Sequence, residues 1–466
     1  MQFRYTKVVC TIGPAVDSAE GIRGLIEAGM DVARLNFSHG THEEHARRLE
    51  VIRAASSECD KPIAILQDLC GPKIRTGAGG PETVETGGTV ELVPGEEASG
   101  GAIAIGYESL TRDLSVGDRI LLGDGEIELR VQSVRDDALE CRVEHGGAIR
   151  TRMGANLPSS ALRLRAITDQ DRKDLEFGLE LGVDYVALSF VRNVEDVLEL
   201  RGLCEAAGHP TPIVAKIETP SAVEDIERIA EAADAVMVAR GDLGVELPPE
   251  AVPTVQKRVI EACRAKQRPV IVATEMLQSM VTAARPTRAE ANDVANAVFE
   301  DADAVMLSAE TAMGDHPQLA CAMMVRIILD AESSPYKVLS PSGRGDSIPE
   351  AVAHGACQIA RDMTARGMVT FTMSGTTARL VSQARPSVPM LGCSPSERTL
   401  CRMALYWGVR PRGFEGVGDI ETLATRTCEY LRQHTIAETG DRFVMVFGSP
   451  LGESGATNSI RVERVR

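Results

Sequence analysis

A chain of 466 residues is too long for one ordinary hydrophobic core, so two to four domains are expected. Aromatic residues make up 3% against 44% hydrophobic, so the cores must be built from Ala, Val, Ile, Leu and Met, as in a soluble α/β enzyme. The net charge of -17 repels polyanions at long range and argues against nucleic-acid backbones or anionic membranes as partners; an anionic substrate must meet locally placed cations or a metal.

The opening MQFRYTKVVC lacks the apolar core of a secretory signal, and no uncharged apolar run reaches the roughly 18 residues of a membrane span, so a cytoplasmic location is expected. Eleven cysteines are scattered singly, several beside apolar segments (Cys10, Cys70, Cys204, Cys263), which reads as reduced thiols serving as small hydrophobes.

In chain order, short apolar runs predict strands at 7–12 (KVVCTI), 31–37 (DVARLNF), 62–68 (PIAILQD), 184–190 (DYVALSF), 212–218 (PIVAKIE), 234–240 (DAVMVAR), 269–275 (PVIVATE) and 303–310 (DAVMLSAE). Amphipathic segments such as EEHARRLEVIRAA and SAVEDIERIAEAA alternate with them. Eight strand-helix units are the count of a closed (β/α)₈ TIM barrel, with a doubly wound open sheet as the competing architecture. The alternation breaks after the third strand, where residues 71–164 become Gly-rich with short alternating pieces (TVELVPG, DRILLGDGEIELRV, LECRVEHGG). This predicts a small β domain inserted into a barrel loop, where it can act as a lid, with residues 1–70 and 165–332 forming the barrel. A linker containing SPSGRGDS then leads to a C-terminal α/β domain, 345–466, with a mainly parallel sheet.

The carboxyl ends of the predicted strands collect polar groups: Arg34, Asn36 and Ser38; Asp68; Lys216 and Glu218; Arg240 and Asp242; Thr274; Ser308 and Glu310. So many ionisable groups at one end of apolar strands are costly to bury as mere structure, which favours a functional mouth. Glu218 and Asp242 fall on adjacent strands with oxygen donors nearby, which suits Mg²⁺ or Mn²⁺; a pair of surface-loop salt bridges is the alternative. Lys216, two residues before Glu218 on a strand, faces the same way, as transfer of an anionic group would require. His39, His42 and His45 lack zinc-helix spacing; His39 is expected in the loop after the second strand, the other two in the first turn of an exposed helix.

Seven blocks, RLNFSHGTHEEH, LQDLCGPKIRTG, VAKIETPSAV, MVARGDLGVELP, ATEMLQSM, RPTRAEANDVANAV and AVMLSAETAMGDHP, resemble in order the signature segments of the pyruvate kinase family, and the likeness extends to FTMSGTTARLVSQARP and SGATNSIRV near the C-terminus. The resemblance implies transfer of the phosphoryl group of phosphoenolpyruvate to ADP, giving pyruvate and ATP. It implies Mg²⁺ on Glu218 and Asp242, Lys216 stabilising the passing phosphoryl group and the enolate, and Arg34 on the substrate phosphate. Thr274 and the Gly241-Asp242 backbone would hold the substrate carboxylate, a water network near Thr274 and Ser308 would deliver the proton, and His39 and Arg75 would contact nucleotide. It also implies a homotetramer.

Where many members bind K⁺ among Asn, Ser and Asp oxygens, here Asn36, Ser38 and Asp68, this chain has Leu69 and Lys73, the pattern of the K⁺-independent branch. A tethered ammonium on Lys73, held by Asp68, would then replace the free ion, so K⁺ is not expected to be required; the alternative is that Lys73 points to solvent and K⁺ still binds through Asn36, Ser38 and Asp68. Departures from the family pattern include Cys70, and Gln170 and Met313 where many members have nucleotide-side lysines. In the C-terminal region Ser374, Gly375, Thr376 and Thr377 follow a strand and open a helix, as either a plain turn or a phosphate cradle; the resemblance favours a phosphorylated small-molecule effector, with the 448–458 loop as the opposite wall. Two competing functions are a weakened paralogue that senses phosphoenolpyruvate and a metal-dependent aldolase or lyase.

Overall fold

Runs of Val, Ile, Leu, Met and Ala that are apolar at consecutive positions suit strands covered on both faces, and eight such strands close a barrel. They are β1 (Lys7–Thr11), β2 (Val32–Asn36), β3 (Ala64–Asp68), β4 (Tyr185–Val191), β5 (Ile213–Ile217), β6 (Ala235–Ala239), β7 (Val270–Ala273) and β8 (Ala304–Leu307). Each pairs in parallel with its sequence neighbour, and β8 pairs with β1 to close the ring, which excludes the open doubly wound sheet. The computed structural model describes residues 3–123, 125–158, 164–339, 346–414, 419–434, 436–451 and 455–466. Six residues of the SPSGRGDS linker (340–345) and 452–454 of the 448–458 loop lie outside them.

Between β3 and β4 the chain forms a six-stranded sheet over its own apolar core, including Leu92, Ile120, Leu129 and Val143. The C-terminal sheet has the order 409–413, 390–394, 367–371, 442–448, 457–464, parallel except for the last strand. Two of these strands went unpredicted. Val409–Gly413 (VRPRG) carries two arginines and a proline, and Thr457–Arg464 alternates polar and apolar on an antiparallel edge. No helix among the described residues is long and apolar enough to cross a membrane. All eleven cysteines are free thiols, eight of them buried.

The barrel interior is sealed from below by the C-terminal region. Val9, Leu66, Val214, Met237, Ile271 and Met306 form one inner cluster with Ala404 and Leu405. Polar contacts fix this plug to the amino ends of the strands: Lys7 Nζ, from the first residue of β1, donates to the Val409 carbonyl, and Arg379 donates to the Gln267 carbonyl ahead of β7. Most buried of all, Arg385 donates from Nη1 to Asp303 Oδ1 at 2.8 Å and from Nη2 to the Asp301 carbonyl at 2.7 Å, beneath the ring of Trp407. Gln383 donates to the same Asp303 oxygen at 2.8 Å. With that end of the barrel filled, the carboxyl end is left open.

Two predictions follow from this lower face. Arg385→Ala leaves Asp303 buried with an uncompensated charge and should cost about 3–5 kcal/mol, read as a lowered unfolding midpoint; adding Asp303→Asn should recover part of the loss. Asp31, at the start of β2, accepts from the Val8 amide and pairs with Arg4 and Lys61. Burial pushes its pKa up, but Arg4, Lys61 and Lys7 outweigh burial and hold it at about 2. A depressed carboxyl contributes stability above its unfolded value of about 3.9 and loses it as pH falls through the folded value. Arg4→Met should therefore move acid unfolding, followed by circular dichroism, to higher pH.

Candidate active site

Asp68, the last residue of β3, is fully buried and organises the mouth. Its Oδ2 accepts from Arg34 Nε at 2.6 Å, and its Oδ1 lies 3.2 Å from Lys216 Nζ. Arg34 also donates to Thr11 Oγ1 at 3.0 Å, so its guanidinium is fixed from two strands. Lys216 donates to Ser189 Oγ at 2.7 Å and lies 2.9 Å from Glu218 Oε1, as the two-residue alternation on β5 requires. The Ser189 hydroxyl in turn donates a hydrogen bond to the Leu69 carbonyl at 2.7 Å. Burial opposes the Lys216 charge, but Asp68 and Glu218 together keep its pKa above the usual lysine value. For Asp68 the same cations overcome burial and hold the carboxyl below its usual range.

Glu218 is buried too, and its Oε2 accepts from the Phe190 amide at 2.6 Å. Phe190 takes φ 53, a left-handed conformation uncommon for a bulky residue, and it aims this N–H at the carboxylate. Burial pushes the Glu218 pKa up, and the negative charge of Asp242 adds to the rise against Lys216. Oε1 meets only the Lys216 ammonium at 2.9 Å and no other donor among the described residues. A buried carboxylate oxygen short of a donor, next to a second carboxylate, has the chemistry of a hard divalent cation site. Among the described residues no cluster of three or more His, Cys, Asp or Glu could hold a metal, so this pair would need water and substrate oxygens to complete the shell.

Asp242 sits half-buried in the short helix Arg240–Glu246 after β6. That helix is anchored to β7: the Gly241 amide donates to Thr274 Oγ1 at 2.7 Å. Thr274 has φ 69, an outlier for a β-branched residue. Arg240 maintains it, donating to the Thr274 carbonyl at 2.6 Å while pairing with Asp293 at 2.7 Å. At the far end of the helix, Glu246 Oε1 accepts from Asn156 Nδ2 of the insert at 3.0 Å. The insert thus touches the element that carries Asp242. Between them opens a cleft of about 540 Å³, lined among others by Lys73, Arg75, Phe190, Arg192 and Asp242.

The remaining expected residues divide. After β8, Ser308 Oγ is buried without a hydrogen-bond partner among the described residues, and its amide donates to Glu310 Oε2 at 2.7 Å. Asn36 Oδ1 accepts from the Ser38 amide at 3.2 Å, closing the turn after β2. Leu69 is buried. Lys73 requires a correction. Arg34, Lys216 and Ser189 already occupy the Asp68 carboxylate, and Lys73 is exposed in the cleft instead of being held by Asp68. Its charge is nonetheless felt at His39, whose pKa is lowered by burial first and then by Lys73, Arg75 and Arg34. Arg75, within the insert, donates to the Arg152 carbonyl at 3.0 Å.

Helix His42–Glu58 starts at a Thr41 capping box, and His45 departs from expectation: it is buried and stacked on Phe37 at 4.0 Å. His42 is bound to Asp174 at 2.7 Å, the residue that also accepts from Gln170 at 2.8 Å. Met313 is 68% exposed. In the C-terminal region, Gly375 (φ 90) precedes helix Thr376–Gln383 and its amide is taken by Thr372 Oγ1, while Thr377 Oγ1 is bound to Thr457 Oγ1 at 2.7 Å. Only Ser374 and Thr376, 3.0 Å apart, keep hydroxyls toward the surface within this tetrad, so the expected four-residue cradle is narrower than its sequence suggests. Gly448, Gly455 and Thr457 face the adjoining small cavity.

Sequence reasoning missed Thr11, Ser189 and the Phe190 amide. For Ser189 a signal existed, since one hydroxyl stands in the apolar run VALSF near the carboxyl end of β4; an amide donor leaves no trace in residue type.

Comparison with known proteins agrees with this geometry. Residues 3–321 match the family described as pyruvate kinase, barrel domain, and residues 350–463 the pyruvate kinase alpha/beta domain. A pyruvate kinase of Agrobacterium vitis is 44% identical over 99% of this chain and 97% of its own length, and one of Corynebacterium glutamicum is 42% identical over 98% and 97%. The crystal structure of a pyruvate kinase from Cryptosporidium parvum superposes with a TM-score of 0.93 at 34% identity, covering 99% of this chain and 96% of that one. With matches running through both the barrel and the C-terminal sheet, this chain belongs to the pyruvate kinase family of phosphotransferases.

Proposed function

We propose that the mouth transfers the phosphoryl group of phosphoenolpyruvate to ADP, yielding pyruvate and ATP, with Mg²⁺ or Mn²⁺ and without a requirement for K⁺. The observation that carries this reading is the Lys216 ammonium, fixed among Asp68, Ser189 and Glu218 beside the neighbouring carboxylates of Glu218 and Asp242. Glu218 and Asp242 would hold the metal, which when bound neutralises charge on substrate carboxylate and phosphoryl oxygens. Arg34, prevented from swinging by Asp68 and Thr11, would bind the substrate phosphate.

Lys216 would stabilise the phosphoryl group in flight and then the enolate oxygen, a task of positioning and charge. Thr274 and the Gly241-Asp242 backbone would orient the substrate carboxylate. A water held by the unpartnered Ser308 hydroxyl, with Thr274, would supply the proton to the enolate carbon. His39 and Arg75 would meet the nucleotide phosphates, and the Lys73 ammonium close by would furnish the fixed positive charge that substitutes for K⁺; the influence of Lys73 and Arg75 on His39 supports a shared anion-binding face. By family resemblance the chain would act in the cytoplasm as a homotetramer, in three domains (1–70 with 165–332, 71–164, 345–466), with a phosphorylated effector at Ser374 to Thr377. No observation favours the sensor or lyase alternatives.

Pyruvate formation should proceed with Mg²⁺ and ADP when tetramethylammonium is the sole monovalent cation, at a rate within about twofold of that in K⁺. Activity confined to K⁺ would remove Lys73 from its assigned role, and no activity with any nucleoside diphosphate would overturn the reading. Lys216→Met should lower kcat by about 10³ or more while Mn²⁺ binding, followed by electron paramagnetic resonance, persists. Glu218→Gln should instead abolish that Mn²⁺ signal.

A further inference from the structure

The C-terminal sheet contains a cavity of about 430 Å³ that the chemistry of the mouth does not use. It lies where strands Gly367–Phe371 and Met390–Ser394 begin, at the opposite end of the first of these from Ser374 to Thr377. Its walls include Met368, Met390, Leu431, Ile436 and Phe443, together with Phe3 from the segment ahead of β1. Arg366, Arg410 and His434 also line it. In a chain with 67 acidic residues against 50 Lys and Arg, none of the described residues lining this cavity is acidic.

The positive charge there is not neutralised from within. Among the described residues neither Arg366 nor Arg410 forms an ion pair. The Arg410 guanidinium lies 4.7 Å over the Phe3 ring, and burial, Arg412 and Arg4 depress its pKa against Asp31 and Tyr430. Helix Ile420–Gln433 ends at this cavity with His434 as its C-cap, placing a partial negative charge of roughly one half nearby, against two full positive charges on the arginines.

We propose that this cavity binds a small organic monoanion with an apolar body, an aryl or branched-alkyl carboxylate, its carboxylate on Arg366 and Arg410 and its body against Met368, Met390, Leu431 and Phe443. The volume falls in the range of small-molecule sites, and planar guanidinium groups match a carboxylate. A sugar phosphate fits less well, because much of its hydroxyl-bearing ring would face the apolar side chains of Met368, Met390, Leu431 and Phe443. An occupant would also rest on the seam between barrel and C-terminal region. Phe3 contacts Tyr5, whose ring stacks on Trp407 at 4.6 Å and whose carbonyl accepts from the Gly408 amide at 2.8 Å.

Phenylacetate, phenylacetamide and 2-phenylethylamine, titrated into the full chain by isothermal calorimetry, separate charge from shape. Phenylacetate should saturate at one per chain, with the amide and the amine at least about tenfold weaker. Arg366→Ala and Arg410→Ala should each weaken phenylacetate by about tenfold while kcat for pyruvate formation stays unchanged. Arg366 is exposed, so its replacement does not threaten the fold, and the acid-to-amide comparison needs no variant. Amide binding as tight as that of the acid, no saturable binding of the acid, or acid binding untouched by either variant would overturn the assignment.

Discussion

The mouth depends on one buried carboxylate. Asp68 holds Arg34 with one oxygen and Lys216 with the other, at a depth where an unpaired charge of either sign would be prohibitive. Two cations that would repel each other are thereby kept a short distance apart and aimed at the same space. Glu218 then shares Lys216, and its burial beside Asp242 leaves a negative surplus that a metal ion would cancel. Read outward from Asp68, the mouth alternates in sign, which suits a reaction whose charge migrates from a phosphate to an enolate.

That alternation was largely legible in the sequence, because a (β/α)₈ barrel maps carboxyl ends of strands onto one mouth. Asp68, Lys216, Glu218, Asp242 and Thr274 could be read from eight apolar runs and what followed each. What could not be read was who pairs with whom. The family pattern places the Lys73 ammonium on Asp68, yet Lys216, nearly 150 residues from Asp68, holds that place because the barrel brings β5 beside β4 and β4 beside β3. Backbone donors are the other blind spot, since the Phe190 amide owes its role to a left-handed φ that residue type does not encode.

Fold elements failed for similar reasons. Strand Val409–Gly413 reads as a loop by composition, and tertiary pairing with Met390–Ser394 overrides that preference. His45, expected on an exposed turn, is buried because the Phe37 ring stacks on it and its Nε2 is bound to the His39 carbonyl. The four-residue phosphate cradle narrowed because Thr457, from an edge strand unrecognised in the sequence, captures the Thr377 hydroxyl.

The plug beneath the barrel has a bearing on biosynthesis. β8 completes the ring of strands at Leu307, but the layer that closes its interior from below arrives with Ala404 and Leu405. At ribosomal rates of about 5–20 residues per second, roughly five to twenty seconds separate the two events. Through that interval the nascent barrel has all its strands and an open floor, with Asp303 waiting for Arg385. A chaperone that shields apolar surface would find its longest opportunity there, and a ribosome pausing in the linker near residue 340 would prolong it.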